Sequence, residues 1–240
     1  SKAKVPQPKF EIISTFDEAI RASKKIGFPL IIKSPDNSGS RGVSKVSDIG
    51  EINNAIEEAY RYSRKNKILI EEYIKGIEIG AQAFSVDGKC IKVLAHNDTV
   101  ALPPYMVPTG HSFPIDLPKA KEKIIESVVA TAVEALGIKD GPSNIDLIID
   151  SDNNPQIIEV GARIGATCLP ELVNYYCGID WVEQAINSCL GLKVDLNDKY
   201  YQPVVAYILQ SPNDGIMKSY NIPDSVKNHP NLLEVEITAN

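Results

Sequence analysis

Residues 144–163, NIDLIIDSDNNPQIIEVGAR, constrain the chain more than any other stretch. Residues 145–149 and 156–160 are rich in β-branched side chains, and the Asp-Ser-Asp-Asn-Asn-Pro run between them is turn chemistry, so the stretch predicts a β-hairpin. If an even-length loop is centred on Asp152 and Asn153, opposed residues have numbers that add to a constant, and Asp146 falls opposite Glu159. Side chains alternate along strands, so both carboxylates then share one face. Like charges directly across a strand pair repel each other. Either the face is simply solvated or something neutralises the pair, and a hard cation with oxygen ligands, Mg²⁺ above all, suits two carboxylates.

Size and charge narrow the classes. The chain has 240 residues, 43% of them hydrophobic, which is enough for a real core in one large domain or two small ones. A net charge of −6 argues against nucleic acid or an anionic membrane as the main partner, while leaving room for a local basic pocket. Cys90, Cys168, Cys177 and Cys189 show no C-x-x-C spacing, so they read as reduced, small apolar residues rather than a zinc site. With no signal peptide or long apolar span in the sequence, the expectation is a soluble cytoplasmic protein. The opening SKAKVPQPKF shows no helix or strand pattern and reads like the middle of a longer chain.

Several elements follow from local pattern. Thr15 and Glu18 form a capping-box pattern for a helix carrying Ala19, Ile20, Ala22 and Ile26, and Gly27 ends it. Residues 28–32 read as a buried strand ending on Lys33, followed by the small polar loop 34–42. Small residues let backbone N–H groups approach phosphate oxygens, although a mobile turn has the same composition and no G-K-[ST] follows. Lys33 itself reads either as an ammonium held at a cleft edge or as a lysine reaching to solvent. Asp48 and Glu51 open a second helix whose end is basic, and residues 68–74 form another strand. Residues 79–86 and 89–95 flank Asp87-Gly88, a favoured hairpin turn. Residues 97–118 are rich in prolines and turn formers and read as a loop, within which His111 is open to either a substrate contact or a packing role. Residues 117–136 form an amphipathic helix, two shorter helices follow Arg163, and 204–210 and 233–238 are strand-like.

The order of these pieces resembles the ATP-grasp superfamily over roughly residues 10–192, and more weakly in the tail. The motifs are F-P-L-I-I-K-S-P around Lys33, the small loop, E-E-Y-I-K-G-I-E from Glu71, and the acidic hairpin. The resemblance implies an α+β fold with two α+β lobes whose antiparallel sheets clasp a nucleotide: residues 1–74 as lobe 1, 75–196 as lobe 2, and 197–240 as a partial β-rich C-terminal lid. It implies ATP and Mg²⁺ (or Mn²⁺) as cofactors. Lys33 matches the lysine that reaches the phosphates, and Ser38, Gly39, Ser40 and Gly42 match the loop that covers them. Glu71, Tyr73 and Ile74 match the adenine-holding hinge, and Glu78 the ribose-binding acid. Asp146 and Glu159 match the metal acids, and Arg163 an arginine facing the reacting acyl phosphate or carboxylate.

The implied activity is ATP-dependent carboxylate–amine ligation of small molecules, with Lys33 and Arg163 in catalytic roles. Many members carry E-x-N after the second metal acid, whereas this chain reads Glu159-Val160-Gly161. The E-V-G-A-R form is similar to that of L-amino-acid ligases and directs the expectation to amino-acid substrates. The usual upstream domain has no counterpart in this sequence, which points to a missing preceding segment or partner chain, and a homodimer is also admissible. Two rivals remain: a carbamoyl-phosphate-synthase-like or biotin-carboxylase-like use of bicarbonate, and a non-catalytic nucleotide-binding module.

Overall fold

A computed structural model describes residues 3–100, 108–209 and 215–237. Within Ser1–Ile208 the backbone forms two antiparallel sheets. The first has four strands: β1 (Phe10–Ile13), β2 (Leu30–Lys33), β3 (Val43–Val46) and β4 (Ile68–Glu72), in the order β1-β4-β2-β3. Helices α1 (Phe16–Ile26) and α2 (Ile52–Tyr62) give it its core, with Ala19, Ala22, Ile52, Ala55, Ile56 and Ala59 packed on Leu30, Ile32, Ile68 and Ile70. Local chemistry sets the boundaries of α1. Thr15 Oγ1 accepts from the Glu18 N–H, Glu18 Oε2 accepts from the Ser14 N–H at 2.7 Å, and Gly27 leaves the helix at φ 93°.

The second sheet has six strands: β5 (Gly76–Val86), β6 (Lys89–Val100), β7 (Pro108–Phe113), β8 (Gly141–Asp150), β9 (Pro155–Gly161) and β10 (Val204–Tyr207), in the order β10-β7-β6-β5-β8-β9. Asp87 and Gly88, at φ 51° and 76°, make the β5–β6 turn the sequence predicts. One face of the sheet is apolar. Ile79, Ala81, Ala83, Ile145, Leu147 and Ile149 pack there against Ile125, Val129, Ala132 and Val133 of α3 (Lys119–Ala135). The opposite face is divided. Phe84, Leu94, Phe113 and Val204 are covered by α4 (Leu169–Cys177) and Trp181 of α5 (Trp181–Cys189), while the part nearer Glu78 carries polar side chains. Residues before β1 touch both sheets: Pro6 C=O accepts from the Ile157 N–H, and Lys9 C=O from the Glu72 N–H, both at 2.9 Å.

Three expectations change. Residues 97–118 are not one loop, because β6 runs on to Val100 and β7 covers 108–113, which puts His111 in a strand; residues 101–107 lie outside the described residues. Strands β1 and β3 are too short for periodicity to reveal them. In the tail, Val204–Tyr207 joins the edge of the six-stranded sheet rather than a separate β element. The second unit, Leu209–Asn240, has the short helix α6 (Asp224–Lys227), and residues 233–237 are irregular rather than a strand. Gln210 and Thr238 fall outside the described residues. No helix among the described residues is long and apolar enough to cross a membrane.

Ile145 is fully buried between the six-stranded sheet and α3. Ile145→Ala should therefore destabilise the fold by about 2–5 kcal/mol, against roughly 0.5 kcal/mol or less for the exposed Ile91→Ala, as read by urea denaturation.

Candidate active site

The acidic hairpin forms as the sequence predicts in outcome, although by a different route. Its loop has three residues, with Asn153 in the left-handed region at φ 62°, so the pairs nearest the turn, such as Ile149 with Pro155, follow an odd register. A β-bulge between Asp146 and Leu147 then shifts the register by one residue and brings Asp146 opposite Glu159. Beyond the bulge, Asn144 stands opposite Gly161.

Strand alternation places Glu78 on β5, His96 and Asp98 on β6, His111 on β7, Asn144 and Asp146 on β8, and Glu159 on β9 along this polar face. Asp98 is held by two histidines. His111 Nδ1 lies 2.5 Å from Asp98 Oδ1, and His96 Nδ1 lies 2.9 Å from the same oxygen. Burial pushes the Asp98 carboxyl up, but these contacts outweigh it and hold it at about 2. Gly80 makes room for the His96 ring, since a Cβ there would sit 2.2 Å from His96 Cε1. Beside it, Gln82 Nε2 donates to Asn144 Oδ1 at 2.7 Å, and Asn144 Nδ2 donates to Asp146 Oδ1 at 3.1 Å.

The electrostatics of the face are strained towards negative charge. The Asp146 carboxyl keeps an opening to solvent but is ringed by protein atoms. Burial raises it above the usual 3.8, and Glu159 and then Asp98 add to the rise. Glu78 is raised by burial first and then by Asp98 and Asp146. Among the described residues, no lysine or arginine forms an ion pair with Glu78, Asp146 or Glu159. An all-oxygen donor set under mutual repulsion fits a hard divalent cation.

The remaining sequence-predicted residues lie on the first sheet and on the segment after β9. Lys33 Nζ contacts Glu71 Oε2 at 2.7 Å, with the two side chains only 15% and 12% exposed. The Glu71 carboxylate is thus engaged with a lysine. Tyr73 N–H donates to Pro29 C=O, and Ile74 follows the end of β4. Ser38, Gly39, Ser40 and Gly42 form the β2–β3 connection. Arg41 Nε donates to Ser38 C=O at 3.1 Å, and Gly42 lies so close to Tyr62 that a Cβ would come within 3.0 Å of that ring. Arg163 is exposed, and its guanidinium donates to Ile164 C=O. Local sequence pattern does not single out Gln82, His96, Asp98 or Asn144 as site residues. Their proximity depends on long-range register across β5, β6 and β8, for which local pattern has no signal.

The site is thus built from two antiparallel sheets, one bearing a buried lysine–glutamate pair and the other an opposed acid pair. The ATP-grasp domain model matches residues 26–171, so the chain belongs to the ATP-grasp family of ligase enzymes. It is 29% identical over 213 residues to a D-alanine–D-alanine ligase of Pseudomonas fluorescens (strain Pf0-1), covering 81% of this chain and 60% of that protein. Among solved structures, it is similar to phosphoribosylglycinamide synthetase from Anaerococcus prevotii, with 26% identity and a TM-score of 0.67 over 94% of this chain and 58% of that one. It is also similar to an L-amino acid ligase from Bacillus licheniformis, with 26% identity and a TM-score of 0.66 over 78% and 44% of the two chains. The chain thus spans about half the length of these relatives.

A carboxyl whose folded value is raised binds its proton more tightly in the folded state. Metal-free stability therefore falls as pH rises from 3.8 through that raised value. Asp146→Asn should raise the melting temperature of the metal-free chain at pH 7, through relief of a cross-strand repulsion worth up to about 1 kcal/mol, and the gain should shrink as the pH is lowered towards 4. Scanning calorimetry at the two pH values checks this, and a lower melting temperature at pH 7 would contradict it.

Proposed function

We propose that this chain carries the nucleotide and metal site of an ATP-dependent carboxylate–amine ligase acting through an acyl phosphate. The observation that carries this reading is the pair Asp146 and Glu159, opposed across β8 and β9, both exposed on the polar face and, among the described residues, with no basic partner in ion-pair contact. Asp146 and Glu159 would hold Mg²⁺ or Mn²⁺, which when bound offsets the charge of the nucleotide phosphates. Lys33, kept extended by Glu71, would meet those phosphates, and the 38–42 connection would cover them and exclude water. Because the Tyr73 N–H is already used, the Tyr73 carbonyl and the Ile74 amide are the hinge groups left for adenine. Glu78 would accept from the ribose hydroxyls.

In the chemistry this site suits, a substrate carboxylate oxygen attacks the γ-phosphorus of ATP, and the β–γ bridging bond breaks to release ADP. An amine nitrogen then attacks the acyl carbon, phosphate leaves, and the nitrogen loses a proton to give an amide. Arg163, exposed at the end of the acidic hairpin, would face the acyl phosphate. The similarity to an L-amino acid ligase favours an amino acid as one substrate. A preceding segment or partner chain would complete the substrate pocket.

Calorimetric titration with a non-hydrolysable ATP analogue should show binding that Mg²⁺ strengthens. Lys33→Ala should weaken it by about tenfold or more, the effect expected for loss of one charge-assisted contact. ADP formation in the presence of amino acids should fall about 100-fold or more in Glu159→Gln. Unchanged ADP formation in that variant would overturn the catalytic reading.

A further inference from the structure

Asp146 has two carboxylate oxygens, and one of them is already engaged. Asn144 stands two residues earlier on β8, on the same face, and its Nδ2 donates to Asp146 Oδ1 at 3.1 Å. Asn144 can donate there because its own oxygen is held on the other side, where Oδ1 accepts from Gln82 Nε2 at 2.7 Å. Gln82 is the residue directly opposite Asn144 on β5, and it is fully buried. Among the described residues no hydrogen bond engages Asp146 Oδ2. We propose that Gln82 and Asn144 form an amide relay that positions Asp146, holding Oδ1 so that Oδ2 is the oxygen presented to a divalent cation. Neither amide is itself a ligand. This rests on the reading of Asp146 and Glu159 as the metal acids.

The surroundings fix the direction of the relay. Gln82 Nε2 faces three acceptors: Asn144 Oδ1, Ala81 C=O at 3.3 Å and His96 Nε2 at 3.4 Å. His96 Nδ1 lies 2.9 Å from Asp98 Oδ1, a contact that draws the ring hydrogen to Nδ1 and leaves Nε2 as an acceptor. A Gln82 amide turned the other way would set its oxygen against all three. The nitrogen therefore stays on that side, although Gln82 Oε1 is then left without a hydrogen-bond partner, a costly state for a buried polar atom. Gly165 closes over the pair, because a Cβ there would lie 2.6 Å from Gln82 Oε1 and 2.9 Å from Asn144 Oδ1.

With Gln82 fixed, Asn144 is fixed too. Its oxygen turns to the Gln82 amino group and its own amino group to Asp146. The reverse would set N–H against N–H on one side and oxygen against carboxylate on the other. A carboxylate with one oxygen tied in this way has less freedom left to lose when a cation arrives, and partners of this outer kind tune metal affinity. The buried residue that sets the direction lies on β5, one strand away from the acid it orients.

The test is Mn²⁺ affinity, measured by electron paramagnetic resonance with a non-hydrolysable ATP analogue present. It is set beside the affinity for the same analogue in EDTA and the melting temperature of each variant. Asn144→Ala removes the donor to Asp146 and should weaken Mn²⁺ binding about tenfold or more, while metal-free analogue binding stays within about twofold of wild type. Gln82→Met keeps the buried volume but removes the donor to Asn144, and it should weaken Mn²⁺ binding in the same direction. Because Gln82 acts through Asn144, the double variant should bind Mn²⁺ no more weakly than Asn144→Ala alone. Unchanged or tighter Mn²⁺ binding in Asn144→Ala overturns the relay. So do losses that add in the double variant, or an equal loss of metal-free analogue binding, which would mark general damage to the site. Absence of Mn²⁺ binding by the wild-type chain overturns instead the metal-site reading itself.

Discussion

The repulsion between Asp146 and Glu159 organises much of what surrounds it. Two carboxylates placed opposite each other on neighbouring strands are unfavourable, and Asp98 and Glu78 on the same face make the field more negative. The fold tolerates this because the other face of the sheet is packed against α3 and the covered half of the polar face is packed against α4 and Trp181. The apolar burial outweighs a local electrostatic cost, and that cost is concentrated where a bound cation would remove it.

The two sheets divide the charge. The first offers a lysine whose partner, Glu71, lies 2.7 Å away and keeps the chain from folding back onto the surface. Retaining the ion pair also limits the penalty of a half-buried ammonium when no anion is present. On the second sheet the neighbourhood of Asp146 offers acids, amides and histidines. A lysine already paired with a carboxylate on one sheet and an unneutralised acid pair on the other are the two features of unequal charge in this chain.

Legibility from sequence followed the range of the interactions. Helix α1 and the Asp87-Gly88 hairpin are local, and the residues that define them lie within a few positions of one another, so the pattern placed them well. The opposition of Asp146 and Glu159 was also legible, yet the counting that found it assumed an even loop. The real loop is odd, and a bulge restores the register. The partners of His111 were out of reach because residues 97–118 read as a proline-rich loop, and His96 falls just past the strand read over 89–95. Only the pairing of β6 with β7 brings these side chains together.

The most direct test of this account is whether metal and nucleotide bind as one unit at the acid pair. Melting temperatures measured by calorimetry with Mg²⁺ alone, a non-hydrolysable ATP analogue alone, and both together address it in wild type and Glu159→Gln. The account predicts that the two ligands together raise the wild-type melting temperature by more than the sum of their separate effects, and that the excess disappears in Glu159→Gln. An equal excess in both proteins would place the cation elsewhere and contradict the account.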